Sequence, residues 1–331
     1  MGHLFVVTEE EADMPKAALK TALIVGVTGG LASEVAKALL AHGWSVRRLA
    51  RDPERAKQQF PHLAAIDWRA GDAMRAADIR RAADGATVIF HGANPPRYRN
   101  WRGLAIPMLQ NSIAAAKAVN ARIILPGTLY NFGPDAAQPL REDTPQVPST
   151  RKGRIRVEME EMLREVRSLV VRAGDYFGPH APASWFSNII VKPGQRVDLI
   201  TDPGTDGVGH SWAYLPDVAE TVARLADIED RLARTEVVHF RGHWLADGRE
   251  MMTAIRGAVG KPELPIKKFA WWLIGLSAPF VPLSREVWEM RYLWQVPVAL
   301  DNAKLVSLIG EEPRTPLDEA VKATLRRMGC I

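Results

Sequence analysis

The chain has 331 residues, 47% hydrophobic and 24% charged, with a net charge of +5. That balance is ordinary for a globular protein and leaves room for one two-part domain or two modest ones. A single cysteine, Cys330, excludes a disulfide framework, no His/Cys/Asp cluster has metal-ligand spacing, and the basic residues are too dispersed to specify nucleic acid.

Residues 1–19 show no basic n-region, long apolar stretch or small-residue cleavage site, so they read as a flexible tail, and a cytoplasmic location is expected. From residue 21 onward strand and helix signals alternate. "TALIVGV" (21–27) is a continuous apolar run ending at glycines, the pattern of a strand buried on both faces. "LASEVAKALLAHG" (31–43) follows, with Leu31, Val35, Ala38 and Leu39 on one helical face and Gly43 as its stop. Between them, Gly26, Gly29 and Ala32 give G-x-x-G-x-x-A spacing. Gly26 allows a tight turn, Gly29 lets backbone approach a pyrophosphate, and Ala32 permits close helix–strand packing. With Thr28, Gly30 and Leu31, the turn would offer free N–H groups and a helix dipole to phosphates.

The next strand, "WSVRRLA" (44–50), lacks the terminal Asp or Glu that would hold a ribose 2′-hydroxyl. Ala50 stands there, with Arg51 beside it and Arg47 on the same strand. A guanidinium forks well onto phosphate, so NADP(H) is expected over NAD(H). Asp52 reads as a turn or cap residue. Asp72, with Ala73 after a further short strand, is placed either against the adenine amino group or as a helix cap. "FHGANPP" (90–96) ends another strand, where Gly92 and Ala93 admit the cofactor and Asn94 follows. "NPPRYRNW" (94–101), with Pro95 and Tyr98, reads equally as a cover over the nicotinamide end or as a rigid surface loop. A helix over 104–120, carrying Asn111, leads to "ARIILPGT" (121–128), which brings Pro126 and Gly127 to the cofactor; "RSLVVRAG" (167–174) closes the series. Strands separated by helices predict an α/β fold, a doubly wound parallel Rossmann sheet with right-handed crossovers.

After residue 174 Pro, Gly and Trp become frequent. "HSWAYLPDVAETVARLAD" (210–227) is expected as a helix capped by Asp217. The predicted division gives 20–174 and 210–240 to an NAD(P)-binding Rossmann domain, and 175–209 and 241–331 to a smaller C-terminal substrate-binding lobe. The most apolar stretch, "FAWWLIGLSAPFVPL" (269–283), is too short and too Pro-broken to span a bilayer core of ~30 Å. It is expected as a buried helix near the substrate pocket, with a membrane-surface patch as the other reading.

Taken together, "GVTGGLA", "GDA", "HGAN", "GTLYNFGP", "REDTPQVPS", "VRAGDYFGP", "WAYLPDVAE" and "DNAKLVSLIGEEPRTPLDEAV" resemble the extended short-chain dehydrogenase/reductase superfamily, specifically its NAD-dependent epimerase/dehydratase family, from residue 21 to about 328. The resemblance implies a donor to a substrate oxygen at Thr128, five residues before the glycine of the family's Tyr-Gly pair, here Phe132-Gly133. It also implies a catalytic Y-G-x-x-K-x-x-x-E. This chain reads "KGRIRVEME", so Lys152 and Arg156 stand for the Tyr and Lys, while Gly153 and Glu160 keep the frame.

A tyrosine beside a lysine shuttles protons because the cation lowers its pKa. Lys152 could do so only if burial or neighbouring cations drew its own pKa toward neutrality, and Arg156 stays protonated. Both keep positive charge, suiting an anion or a developing oxyanion. Tyr130 is the first choice for a relocated acid and Tyr176 the second. His91, His180 and His210 stand alone in sequence and read as structural, with a proton-shuttle role open to each. His180, Trp185 and Trp212 join Pro95, Tyr98 and Tyr176 as candidates for the substrate pocket.

The expected function is an NADP(H)-dependent oxidoreductase acting on a carbonyl or hydroxyl of a small molecule. Thr128 and Lys152 would polarise the oxygen, Arg156 would position the cofactor, and Tyr130 or water would supply the proton. The alternatives are a non-catalytic NADP(H) sensor, and a sugar-nucleotide epimerase or dehydratase, whose reactions lean hardest on the missing tyrosine. No nucleic acid, metal or membrane span is expected; a homodimer through two long helices, common in the resembled family, stays open.

Overall fold

The computed structural model describes residues 20–26, 30–63, 66–95, 100–182 and 184–331. The tail 1–19 and three site candidates, Thr28, Gly29 and Tyr98, lie outside the described residues.

The first half alternates strand and helix as its apolar runs predict: β1 (Thr21–Val25), α1 (Gly30–Ala41), β2 (Ser45–Ala50), α2 (Pro53–Gln59), β3 (Asp67–Ala70), α3 (Ala76–Ala82), β4 (Val88–His91), α4 (Trp101–Val119), β5 (Arg122–Gly127), α5 (Arg151–Met162) and β6 (Ser168–Ala173). The second half holds β7 (Asp175–Phe177), β8 (Ile200–Asp202), β9 (His210–Tyr214), α6 (Leu215–Asp227), β10 (Thr235–Phe240), β11 (His243–Leu245), α7 (Glu250–Val259), β12 (Ile266–Lys268), α8 (Trp271–Ser277), α9 (Pro282–Trp288), α10 (Ala303–Ile309) and α11 (Leu317–Arg327).

Seven strands form one sheet in the order β10-β6-β5-β4-β1-β2-β3, and every pair in it is parallel. Strand order reverses between β1 and β4, which opens a crevice at their carboxyl ends where doubly wound sheets take ligands. One face is covered by α1 and α6, burying Val35, Leu39 and Val222; the other by α3, α4 and α5, burying Ile79, Leu109 and Met159. The four-residue-plus apolar runs survive as strands because both faces are covered.

A second core gathers Phe177, Phe186, Trp212, Met251 and Leu325 around a three-stranded sheet, β11-β9-β7. Three expectations change here. The segment 210–227 splits: His210–Tyr214 is β9, paired with β7 and β11, and only Leu215–Asp227 is helical. Asp217 does not cap α6, whose N-cap is Tyr214; its carboxylate instead accepts from Thr315 N and Oγ1 at 2.8 and 2.7 Å, pinning the C-terminal segment. The stretch 269–283 is no buried helix either, for α8 and α9 contribute no buried residue.

Candidate active site

Gly26 ends β1 at φ +102, and a Cβ there would lie 2.4 Å from the backbone of Gly92 and Ala93. Only glycine permits both the positive φ and the close approach. Across this contact Gly92 faces Ala32, whose side chain is buried in the first turns of α1. Gly26, Ala32, Gly92 and Ala93 are therefore packed against one another. Gly30 and Leu31 open α1, where His180 crosses above: a Cβ on Gly30 would meet the His180 carbonyl.

Asp52 caps α2 by accepting from Arg55 N at 3.0 Å, as the Asp-Pro pattern suggests. Asp72 accepts from Met74 N at 2.9 Å, closing a local turn, and Asn111 donates to the Ala73 carbonyl at 2.9 Å, fixing that turn on α4. Arg47 and Arg51 part company. Arg47 donates to the carbonyls of Ala82 and Asp84 at the end of α3 and pairs with Asp67 at 3.4 Å, so it caps a helix away from the strand ends. Arg51 is exposed just past β2 and makes no hydrogen bond or ion pair with the described residues.

Arg156 lies one strand away from the reversal, at the ends of β4 and β5. Its guanidinium donates to Asn94 Oδ1 at 3.1 Å and the Pro126 carbonyl at 3.3 Å, and stands 5.1 Å from the Trp101 ring. It thus bridges the ends of β4 and β5. Pro95 is buried next to this contact. Underneath, His91 donates to or accepts from Ser112 Oγ at 2.8 Å, while its Nε2 has no partner among the described residues. Burial, reinforced by the Arg156 charge, drives the His91 pKa down to about 3, so the ring is neutral.

Lys152 is turned elsewhere. Thr150 caps α5 by accepting from Gly153 N at 3.0 Å, and a Cβ on Gly153 would sit 2.1 Å from the Tyr130 carbonyl, so the helix start is pressed onto the loop after β5. From there the Lys152 side chain, 3% exposed, reaches α9, donating to the Glu286 carbonyl at 2.9 Å and pairing with its carboxylate at 3.0 Å. Arg151 binds the same carboxylate. Burial lowers the Lys152 pKa, and Glu286 opposes that shift. Lys152 thus ties α5 to α9, a role not expected from its sequence position.

Between the carboxyl ends of β5 and β6 lies a small cleft of about 50 Å³, lined among others by Thr128, Tyr130, Asp175, Tyr176, His210 and Leu293. His210 Nε2 meets Asp175 Oδ2 at 2.9 Å, and the imidazole stacks on Trp294 at 3.9 Å and 8°. Sequence reasoning left Asp175 out of the site and gave His210 only an open proton-shuttle role. Thr128 Oγ1 donates to Asn131 Oδ1 at 3.3 Å. The Tyr176 hydroxyl is buried without a partner among the described residues, and burial pushes its pKa up to about 12 despite the Arg156 charge.

Three pocket candidates sit apart from the cleft wall. His180 binds Glu34 Oε1 at 3.1 Å and accepts from Arg327 Nε at 2.9 Å, locking the C-terminal helix to α1. Trp212 is buried in the second core against Phe177, Phe186 and His210. Trp185 packs on Trp294, 5.2 Å between rings, and so backs the residue that stacks on His210.

Residues 26–168 match a protein family described as NAD(P)H-binding. No curated protein matches the chain. Among solved structures it is similar to L-threonine dehydrogenase from Clostridium difficile, at 18% identity over 95% of this chain and 99% of that one, with a TM-score of 0.75. It is similar too to UDP-glucuronic acid 4-epimerase from Bacillus cereus, solved with UDP-glucuronic acid and NAD, at 15% identity over 93% and 98%, TM-score 0.71. The Bordetella bronchiseptica enzyme WbmH, solved with NAD+, gives 19% identity over 94% and 99%, TM-score 0.68. These likenesses define the class of fold: a Rossmann-type nucleotide-binding sheet with an attached lobe, matched over nearly the whole of each chain.

Proposed function

We propose that the protein is an NADP(H)-dependent oxidoreductase that interconverts a carbonyl and a hydroxyl on a small molecule, with a His–Asp pair in place of the usual tyrosine. The strongest support is the placement of His210 and Asp175 on the same cleft as Thr128 and Tyr130, next to the end of the sheet where Arg156 bridges β4 and β5.

The residues fit a dinucleotide: Gly26 and Gly92 keep a cradle that a Cβ would fill, and Arg51 is left for the 2′-phosphate. When bound, the nicotinamide supplies or takes the hydride. Arg156 holds the Asn94 and Pro126 edge in place and contributes fixed positive charge beside a developing oxyanion. Tyr130 offers its hydroxyl to the substrate oxygen, and Thr128 joins it when its proton turns from Asn131 Oδ1 to the substrate. In the reducing direction His210 gives its Nδ1 proton to that oxygen, while Asp175 holds Nε2–H, fixes the ring and steadies the imidazolium; in the oxidising direction the neutral ring takes the proton back. Trp294 stacking limits the ring to one plane.

The test measures NADPH consumption with aldehydes, ketones, quinones and enones, NADH in parallel, for the parent chain and for Asp175→Asn and His210→Gln. General acid–base assistance is worth about 10²–10⁴ in rate, so both variants should lose turnover on that scale while binding NADPH with unchanged affinity. A second reading, an NADP(H)-sensing protein without turnover, is favoured by the Lys152 tie to Glu286, which removes that amine from the cleft. NADPH binding with no turnover on any carbonyl class would select it.

A further inference from the structure

The most apolar segment of the chain is also among its most exposed. Phe280 is 84% exposed, Leu276 67% and Trp272 65%, and Leu273, Val281 and Leu283 are exposed beside them. Single exposed apolar residues are commonplace, but a run gathered on one small unit marks a contact surface. The unit is built rather than frayed. Ser277 Oγ donates to Ser284 Oγ at 2.8 Å, Arg285 binds the carbonyls of Ala278 and Pro279, and a Cβ on Gly275 would lie 3.0 Å from the Trp288 ring. From below, Glu286 and Glu289 pair with Arg151, and Glu286 with Lys152 as well. So α8 and α9 form a hairpin held by polar bonds that presents its apolar side chains outward.

The charges around the patch favour one occupant. Both carboxylates of α9 and its end are turned inward onto Arg151 and Lys152. Among the described residues what remains outside is basic: Lys267 is exposed and unpaired, Arg285 is exposed and binds carbonyls, and the half-buried Arg291 stacks on Trp288 at 4.7 Å. A second copy docking through a two-fold axis would bring this basic rim against itself. An anionic lipid surface meets both parts, taking Trp, Leu and Phe below the headgroups and Lys and Arg at their level. No described helix is long and apolar enough to cross a bilayer, so the contact lies in the plane of the interface. We propose that the α8–α9 hairpin is a docking surface for the face of a phospholipid bilayer carrying anionic headgroups. This proposal is independent of the catalytic assignment.

The test is co-sedimentation of the full chain with vesicles of phosphatidylcholine, alone or mixed with phosphatidylglycerol, while Trp fluorescence is followed. The expected result is binding to the mixed vesicles with a blue shift, at least about tenfold weaker on pure phosphatidylcholine and weakened by salt. The double variant Leu276→Ser/Phe280→Ser should lose at least about tenfold in partitioning. Both side chains are exposed, so its thermal midpoint should match the parent's. Absence of binding to mixed vesicles, or binding unchanged in the double variant, overturns the proposal. So does a parent chain that runs as a dimer without vesicle binding and becomes a monomer in the variant, which would make the patch a self-association face.

Discussion

Replacing Glu286 by Gln should destabilise the protein far more than replacing its partner Lys152 by Met. The two charges lie 3.0 Å apart with Lys152 almost fully buried. At an effective dielectric near 20 their attraction is ~5 kcal/mol, set against the cost of removing both from water. Glu286→Gln keeps that desolvation cost and deletes most of the attraction, leaving an ammonium beside a neutral amide. Breaking a buried pair in this way costs ~3–5 kcal/mol, and residual solvent access at Glu286 places this case near the lower end. Lys152→Met deletes the buried ammonium instead and leaves Glu286 with Arg151, so a loss within ~1 kcal/mol is expected.

Equilibrium unfolding in denaturant reads the difference directly, and pH supplies a second signature. Burial already lowers the Lys152 pKa, with Glu286 holding it up. Without Glu286 the folded value falls further below that of an unfolded lysine. Between the two values the unfolded chain binds more protons, so stability rises with pH. The Glu286→Gln deficit should therefore shrink as pH rises above neutrality, as Lys152 sheds its proton in the folded state. Equal losses for the two variants, or a Glu286→Gln deficit independent of pH, would refute this account of the α5–α9 tie.

Arg51→Ala should weaken NADPH binding by ~1–3 kcal/mol while leaving NADH binding unchanged, whereas Arg47→Ala should lower thermal stability and spare both affinities, both readable by titration calorimetry with thermal melts. Gly153→Ala forces a Cβ to within 2.1 Å of the Tyr130 carbonyl, and should cost ~1–3 kcal/mol in chemical unfolding with displacement of the Tyr130 loop. Burial holds His91 at about 3, and His239 and His243 at about 4, with Arg156, Arg172 and Arg314 respectively adding to the effect. These folded values lie below the unfolded value near 6.5, so stability is present above that pH and declines as pH falls through about 4; a flat unfolding profile over this window would count against neutral buried rings.

How much of this was legible in the sequence follows from whether each signal is local. "TALIV", "RIILPG" and "SLVVRA" announce central strands because a parallel sheet covered on both faces needs apolar residues at every position. Gly26 and Asp52 were readable because a tight turn and a helix cap are set by neighbours a few residues away. Arg47 was misplaced because sequence shows that it lies on β2 but not where its long side chain reaches, and the open carbonyls at the end of α3 claim it. His210 and Asp175 are 35 positions apart and meet only through parallel pairing of β7 with β9, where Asp175 stands opposite Trp212. No periodicity announces such a short pairing. The carboxylates at 286 and 289, just beyond an apolar run, were the one available hint of the α5–α9 tie. The hairpin was expected first as a buried helix, with a surface patch only as the other reading, because "apolar means buried" holds in one direction only.

The surroundings of Lys152 and Arg156 explain why basic residues suit both places. The positions are four apart on α5, so they share a face of the helix, yet their side chains diverge. Arg156 reaches the carboxyl ends of β4 and β5, where Asn94 and the Pro126 carbonyl accept from it. Lys152, a turn earlier, meets the carboxylate that α9 delivers. A tyrosine at 152 would leave Glu286 to Arg151 alone and put a phenol against a carboxylate, which raises a phenol's pKa and makes it a poorer proton carrier. Once α9 supplied Glu286, a cation at 152 became the residue type that ties α5 to α9. Under the oxidoreductase function proposed above, proton transfer rests with a group whose position does not depend on α5, and the His210–Asp175 pair, carried on β9 and β7 and braced by Trp294, is placed for that proposed role.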